Sequence, residues 1–518
     1  MRQPQSINFC PCIRAGRTCQ GYRDPQDMMF RDESQVLSTK RQRLAAVKKA
    51  RHTVSLPPAK EAESSLVRVS SELPALEFSY KGSSPMSFLA LDLGSSAEEQ
   101  ATCFFWRNYV LQEHRSHNGN FQYLSDLYSR EEIGKSLSET IACLGLVGLS
   151  NFWKAPNIMR AAQSKYNSAL QLVSSRLRNV EEAKADQTLV AVMLLGLYET
   201  NTCNSPQSMH SWTKHITGAA ALLSLRGKQQ LKTPIGHHLF VHLRTQVITN
   251  CVQRHVTVPP NISEWSQAAL EYETEEEAVS TNLSEIAIKY CNLRASMSSF
   301  NDYSNSEYLI ACLCSVDLEY SEFLNHCPIS FIYSTMSLDR RSEEVFSDHY
   351  HVYSSIWTAT VWNHYRCVRI LVNELIIDQI SYVLTHPEEY ASSWESVSFY
   401  ESQLLASNST LQHLCHDICA SVPFYLGYSV NASDRASRPP PKAVSGNLLL
   451  WPLYSAAVTR IVSDVMRDWV AGRLRIIADV MGIRQAAPLA YTLGLQQDLL
   501  EWEPGTENDG SGTLGRGT

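Results

Sequence analysis

The clearest helical pattern in the chain is NIMRAAQSKYNSALQLVSSRLR, residues 157–178. Apolar side chains recur there every three or four positions, so they share one face of a helix. That face consists of Ile158, Ala162, Tyr166, Ala169, Leu170, Val173 and Leu177. Pro156 stands before the first turn and Asn179 follows the last one, as is usual at helix ends. We therefore expect an amphipathic helix over 157–178.

Two segments further along the chain extend this pattern. The sequence QTLVAVMLLGLYET, residues 187–200, is apolar nearly all round, which predicts a buried helix with Asp186 as its N-cap. A third helix is expected from near Pro206 to Gly227, because glycine suits the turn that follows a last helical residue.

The fold class expected for the whole domain is all-α. The sequence contains no run of alternating β-branched strands with hairpin turns, and another helical pattern occupies 462–481 and ends at Gly482. We expect a large multi-helix domain, bundle-like or solenoid-like, with short loops. The longest apolar runs, such as 189–198, have about ten residues, half of what a membrane-spanning helix needs, so no membrane contact is expected.

Composition divides the chain into four predicted parts. These are an arm with close cysteines at 1–22, a basic and then Ser/Pro-rich disordered linker at 23–96, the helical domain at 97–500, and a disordered tail at 501–518. Residues 1–60 carry twelve Lys or Arg and four Asp or Glu, a net +8, so the whole-chain charge of −7 leaves −15 for the rest. A basic arm on an acidic body is typical of nucleic-acid binders, although a solvated basic leader has the same composition.

The arm contains three close cysteines, Cys10, Cys12 and Cys19, with Arg14 and Arg17 between them. Close thiolates at short spacing are the means by which a small unit without a core folds around zinc. The stretch CIRAGRTCQGYRDPQDMMFRDES resembles the second half of a fungal Zn2Cys6 zinc cluster and the start of its linker. In that family the pattern is C-x2-C-x6-C, a loop, then C-x2-C-x6–8-C. The Cys12–Cys19 spacing fits the last pair.

This resemblance is incomplete in two ways. Cys10 is one residue too close to Cys12, and the first three cysteines of the pattern, with the basic residues that contact DNA in the family, are absent from the sequence. Three thiolates cannot hold two zinc ions, because a structural zinc takes four ligands. We expect either that the N-terminus shown is incomplete or that the cluster has lost metal binding and base recognition.

The linker supplies further candidate nucleic-acid contacts. Besides Arg14 and Arg17, they are Lys40, Arg41, Arg43, Lys48, Lys49 and Arg51. Clustered positive charge suits phosphates or a nuclear-import receptor, and a solvated surface explains it about as well.

A second resemblance lies in the helical domain. The sequence HSWTKHITGAAALLSLRG at 210–227 is similar to the W-x2-H-x2-GA-x2-L-x3-RG signature of the fungal-specific transcription factor domain, as are ICASVPF at 418–424, LWPLY at 450–454 and MGIRQA at 481–486. In physical terms these are packing features: Trp212 and Trp451 supply buried area, and Pro452 is expected to break a helix.

The two resemblances imply a fungal transcription regulator of RNA polymerase II genes in the nucleus, possessing the helical domain and an impaired zinc-cluster arm. They also imply zinc as cofactor, DNA and other transcription proteins as partners, homo- or heterodimers, and metabolic or secondary-metabolite target genes. The alternative is a helical interaction protein that acts without binding DNA.

An enzyme is not expected. The sequence has no GxxxxGK[ST], HExxH or GxSxG motif. Two groups in the body, His237, His238 and His242, and Cys415, His416 and Cys419, have no further ligand pair at a recognised offset, so we interpret them as chance spacing.

Overall fold

The computed structural model describes residues 96–111, 120–130, 132–203, 209–297, 303, 305–386, 394–428 and 441–494. All of them belong to one compact unit, Ser95–Thr518. The arm, the linker and the tail lie outside the described residues, so the boundaries proposed for them stay predictions.

The described residues form sixteen α-helices. In chain order, α1 to α16 are Ala97–Tyr109, Tyr123–Arg130, Lys135–Trp153, Pro156–Leu177, Val180–Lys184, Asp186–Thr202, Met209–Arg226, Pro234–Arg254, Pro260–Ala269, Glu275–Ser296, Ser306–Phe323, Ile356–Thr385, Trp394–Tyr425, Ala443–Val458, Asp464–Asp479 and Ala486–Gly494. The expected all-α fold is confirmed.

A single short hairpin accompanies the helices in the described part of the chain. Strand β1, Ser334–Ser337, pairs antiparallel with β2, His349–Val352, with Ser334 opposite Val352. Strand β2 packs on α13. The prediction of no strands missed this hairpin, because four-residue strands are too short to show a period in the sequence.

The helix predicted at 157–178 is α4, displaced by one residue. Pro156 is its first residue, where the missing N–H costs no hydrogen bond. Helix α4 packs on α3, and α3 also packs closely on α1. At the second contact, a Cβ added to Gly145 would lie 1.8 Å from the carbonyl oxygen of Ala101, so glycine is what lets these two helices approach.

The helix predicted at 187–200 is α6, and it is buried on nearly every side as expected. The N-cap prediction was wrong: Ala185 occupies that position, and Asp186 is the first helical residue. The Asp186 carboxylate instead accepts a hydrogen bond of 2.5 Å from Arg226, at the end of α7. The Asp186 side chain therefore forms an ion pair between α6 and α7, and it does not cap α6 as the local pattern predicted.

Helix α7 contains most of the 210–227 signature. It ends at Arg226, and Gly227 follows with φ 73°, as predicted. Pro206, the expected start, lies outside the described residues, and the described helix begins at Met209. The guanidinium of Arg226 also donates to the Lys184 carbonyl at 2.6 Å, so the signature arginine ties α7 to the end of α5.

The C-terminal helices return to the N-terminal half. The Asn151 amide donates to the carbonyls of Asn201, at 3.0 Å, and Gly482, at 2.8 Å. Arg484 donates to the Asn151 side-chain oxygen at 2.8 Å. Gly482 has φ 76° and lies in the turn between α15 and α16, three residues beyond the helix end at Asp479. Its carbonyl therefore closes a contact between distant parts of the chain.

The expectation that Pro452 breaks a helix was wrong. Pro452 lies inside α14. Proline lacks the N–H that would bond the carbonyl four residues earlier, so the Leu448 carbonyl loses its usual donor while packing keeps the helix continuous. Among the described helices, none is both long and apolar enough to span a membrane.

Candidate ligand cavity

A cavity of about 370 Å³ lies in the middle of the helical body. Its walls come from α6, α7 and α8 on the N-terminal side and from α12, α14 and α16 on the C-terminal side, with the start of α2 and the residues before it at one end. A second cavity of about 50 Å³ shares Thr249, His364 and Trp451 with it. The space is therefore built by helices that are far apart in sequence.

Large aromatic side chains form much of the wall. They are Phe121, Tyr123, Trp212, Trp357, Trp451 and Tyr454. The Trp357 ring is held edge-on by Phe331, with centroids 5.1 Å apart, and Trp451 lies 6.4 Å from Tyr454. Aromatic walls of this kind offer flat apolar surface to a bound molecule.

Phe121 lies at the α2 end of the cavity in an unusual backbone conformation. Its φ is 57°, in the left-handed region that a bulky residue rarely adopts. The Leu111 amide donates to the Asn120 carbonyl at 3.0 Å, and the Leu124 amide donates to the Phe121 carbonyl at 3.0 Å. These bonds hold the turn so that the Phe121 ring packs on His242, with centroids 4.8 Å apart.

His242 on α8 is half-buried in the cavity wall. Burial lowers its pKa to about 4, so the imidazole is neutral at physiological pH. Its Nδ1 lies 3.2 Å from the Tyr123 hydroxyl and its Nε2 lies 3.1 Å from the Gln246 amide nitrogen. With the amide as donor to Nε2, the proton sits on Nδ1, which donates to the Tyr123 oxygen. The Tyr123 hydroxyl proton then remains available to another acceptor.

His364 on α12 lines both cavities. Burial alone lowers its pKa to about 4. In the part of the chain that the structure describes, neither ring nitrogen has a hydrogen-bond partner. A neutral imidazole carries one donor and one acceptor, so His364 brings two unused hydrogen-bonding sites to the cavity wall.

The remaining polar wall consists of amides and hydroxyls. The side chains of Asn447 and Gln253 line the cavity and have no hydrogen-bond partner within the described ranges. Thr245 and Thr249 donate back to helix carbonyls, at 3.3 and 2.9 Å, and their oxygens can still accept. The wall can therefore both donate and accept hydrogen bonds.

Charge is nearly absent from the wall. Among the described residues, no Asp, Glu, Lys or Arg side chain lines the cavity. His238 lines it, and its Nε2 lies 3.9 Å from Glu277. The interaction with His238 lowers the pKa of Glu277 to about 2, and the Thr274 amide donates a hydrogen bond of 2.9 Å to this carboxylate. The Glu277 carboxylate thus already has neighbours that lower its pKa.

The part of the chain that forms the N-terminal side of this cavity is similar to a known protein family. Residues 106–255 match the model of the fungal specific transcription factor domain. This segment is therefore similar to a fungal-specific transcription factor domain. This match includes α7 with the 210–227 signature, while the three later sequence landmarks lie beyond the matched residues.

Two curated proteins of Emericella nidulans are similar to parts of the chain. "Uncharacterized protein AN5342" is 29% identical over 89 residues, which are 17% of this chain and 18% of that protein. "Transcription factor dbaG" is 29% identical over 144 residues, 27% of this chain and 31% of that protein. The chain therefore matches less than a third of the length of either relative. No solved structure matches it.

The fungal-specific transcription factor domain, as matched, supplies only part of the cavity. Trp212 and His242 lie within 106–255, whereas Trp357, His364 and Trp451 come from helices beyond it. Trp212 and Trp451, expected from the sequence to supply buried area, are cavity walls that keep partial exposure. The sequence interpretation recognised both tryptophans, but as packing residues and not as part of a site.

The candidate site residues from the sequence are not part of this cavity. Cys10, Cys12, Cys19, Arg14, Arg17, Lys40, Arg41, Arg43, Lys48, Lys49 and Arg51 lie outside the described residues. In the part that is described, no group of three or more His, Cys, Asp or Glu side chains is placed to hold a metal ion. Burial raises the pKa of Cys415 to about 12, which makes this thiol a poor metal ligand.

Sequence reasoning missed His242 and His364 as cavity residues. His242 was interpreted, with His237 and His238, as chance spacing on a helix. The structure separates the three: His238 and His242 line the cavity, while the His237 Nε2 lies 3.4 Å from Glu273. For His364, a lone histidine in an apolar helix, the sequence carried no signal.

Proposed function

We propose that this protein is a fungal transcription regulator of RNA polymerase II genes, and that it is not an enzyme. The observation that carries the proposal is the family match at residues 106–255. The similarity to a protein called a transcription factor over 144 residues supports it. The fold alone would not, because one fold serves many functions.

The second part of the proposal concerns the arm. Cys10, Cys12 and Cys19 are three thiolates, fewer than the four ligands of one structural zinc. We therefore expect weak zinc binding or none, and DNA binding that depends on the basic cluster at 40–51 rather than on a folded zinc cluster. Such binding is tolerant of sequence and falls as salt rises, because it replaces counterions on phosphates.

A reporter assay tests the regulatory function. The full chain, fused to the DNA-binding domain of a bacterial repressor, is expressed in a yeast strain whose reporter carries that repressor's operator. We expect expression to change at least about fivefold relative to the repressor domain alone. An expressed, nuclear fusion that leaves the reporter unchanged would contradict the proposal.

A DNA-binding assay tests the arm. Lys40, Arg41, Arg43, Lys48, Lys49 and Arg51 are changed to Gln in the full chain. The matched control changes six exposed basic residues of the body, Lys154, Lys214, Lys228, Lys232, Arg340 and Arg341. We expect the first variant, and not the second, to lose most of its affinity for a random duplex at low salt.

The incomplete cysteine set favours a second candidate, an interaction protein that regulates transcription through its helical body without binding DNA. In that case the tethered reporter still responds, while the full chain has no measurable affinity for DNA at any salt concentration. Nuclear localisation of the 40–51 variant separates a role in import from a role in DNA contact.

A further inference from the structure

The central cavity is large enough for a small molecule. Its volume of about 370 Å³ far exceeds the roughly 15 Å³ that one water needs, and it falls within the range of about 300–1,000 Å³ found for ligand pockets. Water alone would leave most of its aromatic wall in contact with solvent.

The wall selects for an uncharged ligand. Within the described residues, acidic side chains, lysine and arginine are absent from the wall. Of its three histidines, desolvation keeps His242 and His364 neutral, and His238 faces Glu277. An anion or cation here would lose its hydration without gaining a partner of opposite charge, which is costly. Glu277 lies 3.9 Å from His238 and is not itself part of the wall.

The wall also selects for shape and for polar groups. Trp357, Trp451 and Phe121 present flat rings to the space. His364 and Asn447 bring unused donors and acceptors, and the Tyr123 hydroxyl has a donor to spare. A buried polar group is stabilised only when it is hydrogen-bonded, so a ligand that satisfies these groups gains affinity over a hydrocarbon of the same shape.

We propose that the central cavity binds an uncharged aromatic small molecule that carries hydroxyl or carbonyl groups, and that His364 hydrogen-bonds one of them. Binding itself does not depend on the regulatory function. The role of this molecule as an effector of transcription rests on the function proposed above.

Two fluorescent probes that share one scaffold test the charge requirement. N-phenylnaphthylamine is neutral, and anilinonaphthalene sulfonate is the same ring system with a negative charge. With the purified full chain, we expect one neutral probe to bind per chain, and the sulfonate to bind at least about tenfold more weakly. Equal or tighter binding of the sulfonate, or no binding of the neutral probe, would overturn the proposal.

A matched pair of variants locates the probe. Thr249 lines both cavities, so Thr249→Phe places a ring in the space, whereas Thr217→Phe makes the same change at an exposed position of α7. We expect only Thr249→Phe to weaken probe binding, by about tenfold or more. Circular dichroism checks that both variants fold. Should Thr249→Phe not fold, Gln253→Phe places the ring at another position of the wall and takes its place in the comparison.

The hydrogen bond to His364 has its own test. Naphthol and naphthalene differ by one hydroxyl group, and we expect the chain to bind naphthol about tenfold more tightly. His364→Leu should remove this preference, while His413→Leu on an exposed part of α13 should keep it. Equal affinity for the two compounds in the unaltered chain would exclude the polar contact.

The two proposals fail in different ways. If the neutral probe binds but the tethered reporter does not respond, the cavity is a ligand site and the transcriptional role is contradicted. If the reporter responds but the neutral probe does not bind, the regulatory function is supported and the proposed ligand site is contradicted.

Discussion

The junction of α1 with α3 and the central cavity are both helix contacts, yet one is closed and the other open. At the junction, Gly145 lets α3 approach the α1 backbone, and a Cβ on Gly148 would lie 2.3 Å from Phe104. Around the cavity, tryptophan, tyrosine and phenylalanine stand where the helices face each other. Small residues bring helices together, and large rings from several helices meet around a space that they do not fill.

The same difference holds for polar groups. At the closed side, the Asn201 amide donates to the Tyr109 hydroxyl at 2.9 Å, and Asn151 uses both ends of its side chain. At the open side, His364 has no partner among the described residues. Pairing on the closed side is not complete, since the side-chain oxygen of Asn201 is buried there without a hydrogen-bond partner among the described residues. What distinguishes the open side is that the unused donor and acceptor of His364 line a space that another molecule can occupy.

The largest expected effect on stability comes from adding a methyl group at the contact between α1 and α3. Gly145→Ala would place a methyl group 1.8 Å from the Ala101 carbonyl oxygen, so α1 or α3 has to shift. We expect the free energy of unfolding to fall by about 3 kcal/mol or more, measured by urea denaturation.

The control for this variant is Gly472→Ala on α15. A Cβ there meets nothing within 4 Å, so the change should stabilise the protein by up to about 1 kcal/mol through helix propensity. A similar loss in both variants would mean that the contact with α1 is not what requires Gly145.

Truncating a leucine should cost much more at the dense side than at the cavity. Leu144 on α3 has no exposed surface, and Leu144→Ala should lower the free energy of unfolding by about 3 kcal/mol. Leu448 on α14 already faces the cavity, so Leu448→Ala loses fewer contacts and should cost about 1 kcal/mol. Equal losses in denaturant melts would show that the cavity is filled by packed side chains in solution.

The cavity histidines should make stability depend on pH. Since the folded protein keeps His364 neutral down to about pH 4, while an unfolded histidine is protonated below about pH 6.5, the unfolded state binds more protons between these values. Stability should therefore fall as pH falls, by about 2 kcal/mol for this group between pH 7 and pH 5.

His364→Gln should remove that share of the loss when denaturant midpoints at the two pH values are compared. The exposed His413→Gln variant is the control and should keep the dependence of the unaltered chain. An unchanged loss in His364→Gln would show that His364 is already protonated or exposed in the folded state.

Local pattern predicted the helices well and their side-chain partners poorly. Residues 157–178 and 187–200 became α4 and α6, because apolar period and end residues act within a few turns. Asp186 and Pro452 were misread, since Arg226 lies 40 residues from Asp186 and α14 is held by neighbours that the sequence around Pro452 does not show. Trp212 and Trp451 were recognised as packing residues, but they were expected in a filled core and not in a cavity wall.

The sequence by itself determined that the body is all-α, where its principal helices run, and that residues 106–255 resemble a known family. These follow from short-range periodicity and from residue identity. Only the tertiary structure decided that Tyr123, Trp212, His364, Trp451 and Leu489 enclose one cavity. The physical reason is that a cavity is what packing leaves over between distant helices, and no local pattern encodes it.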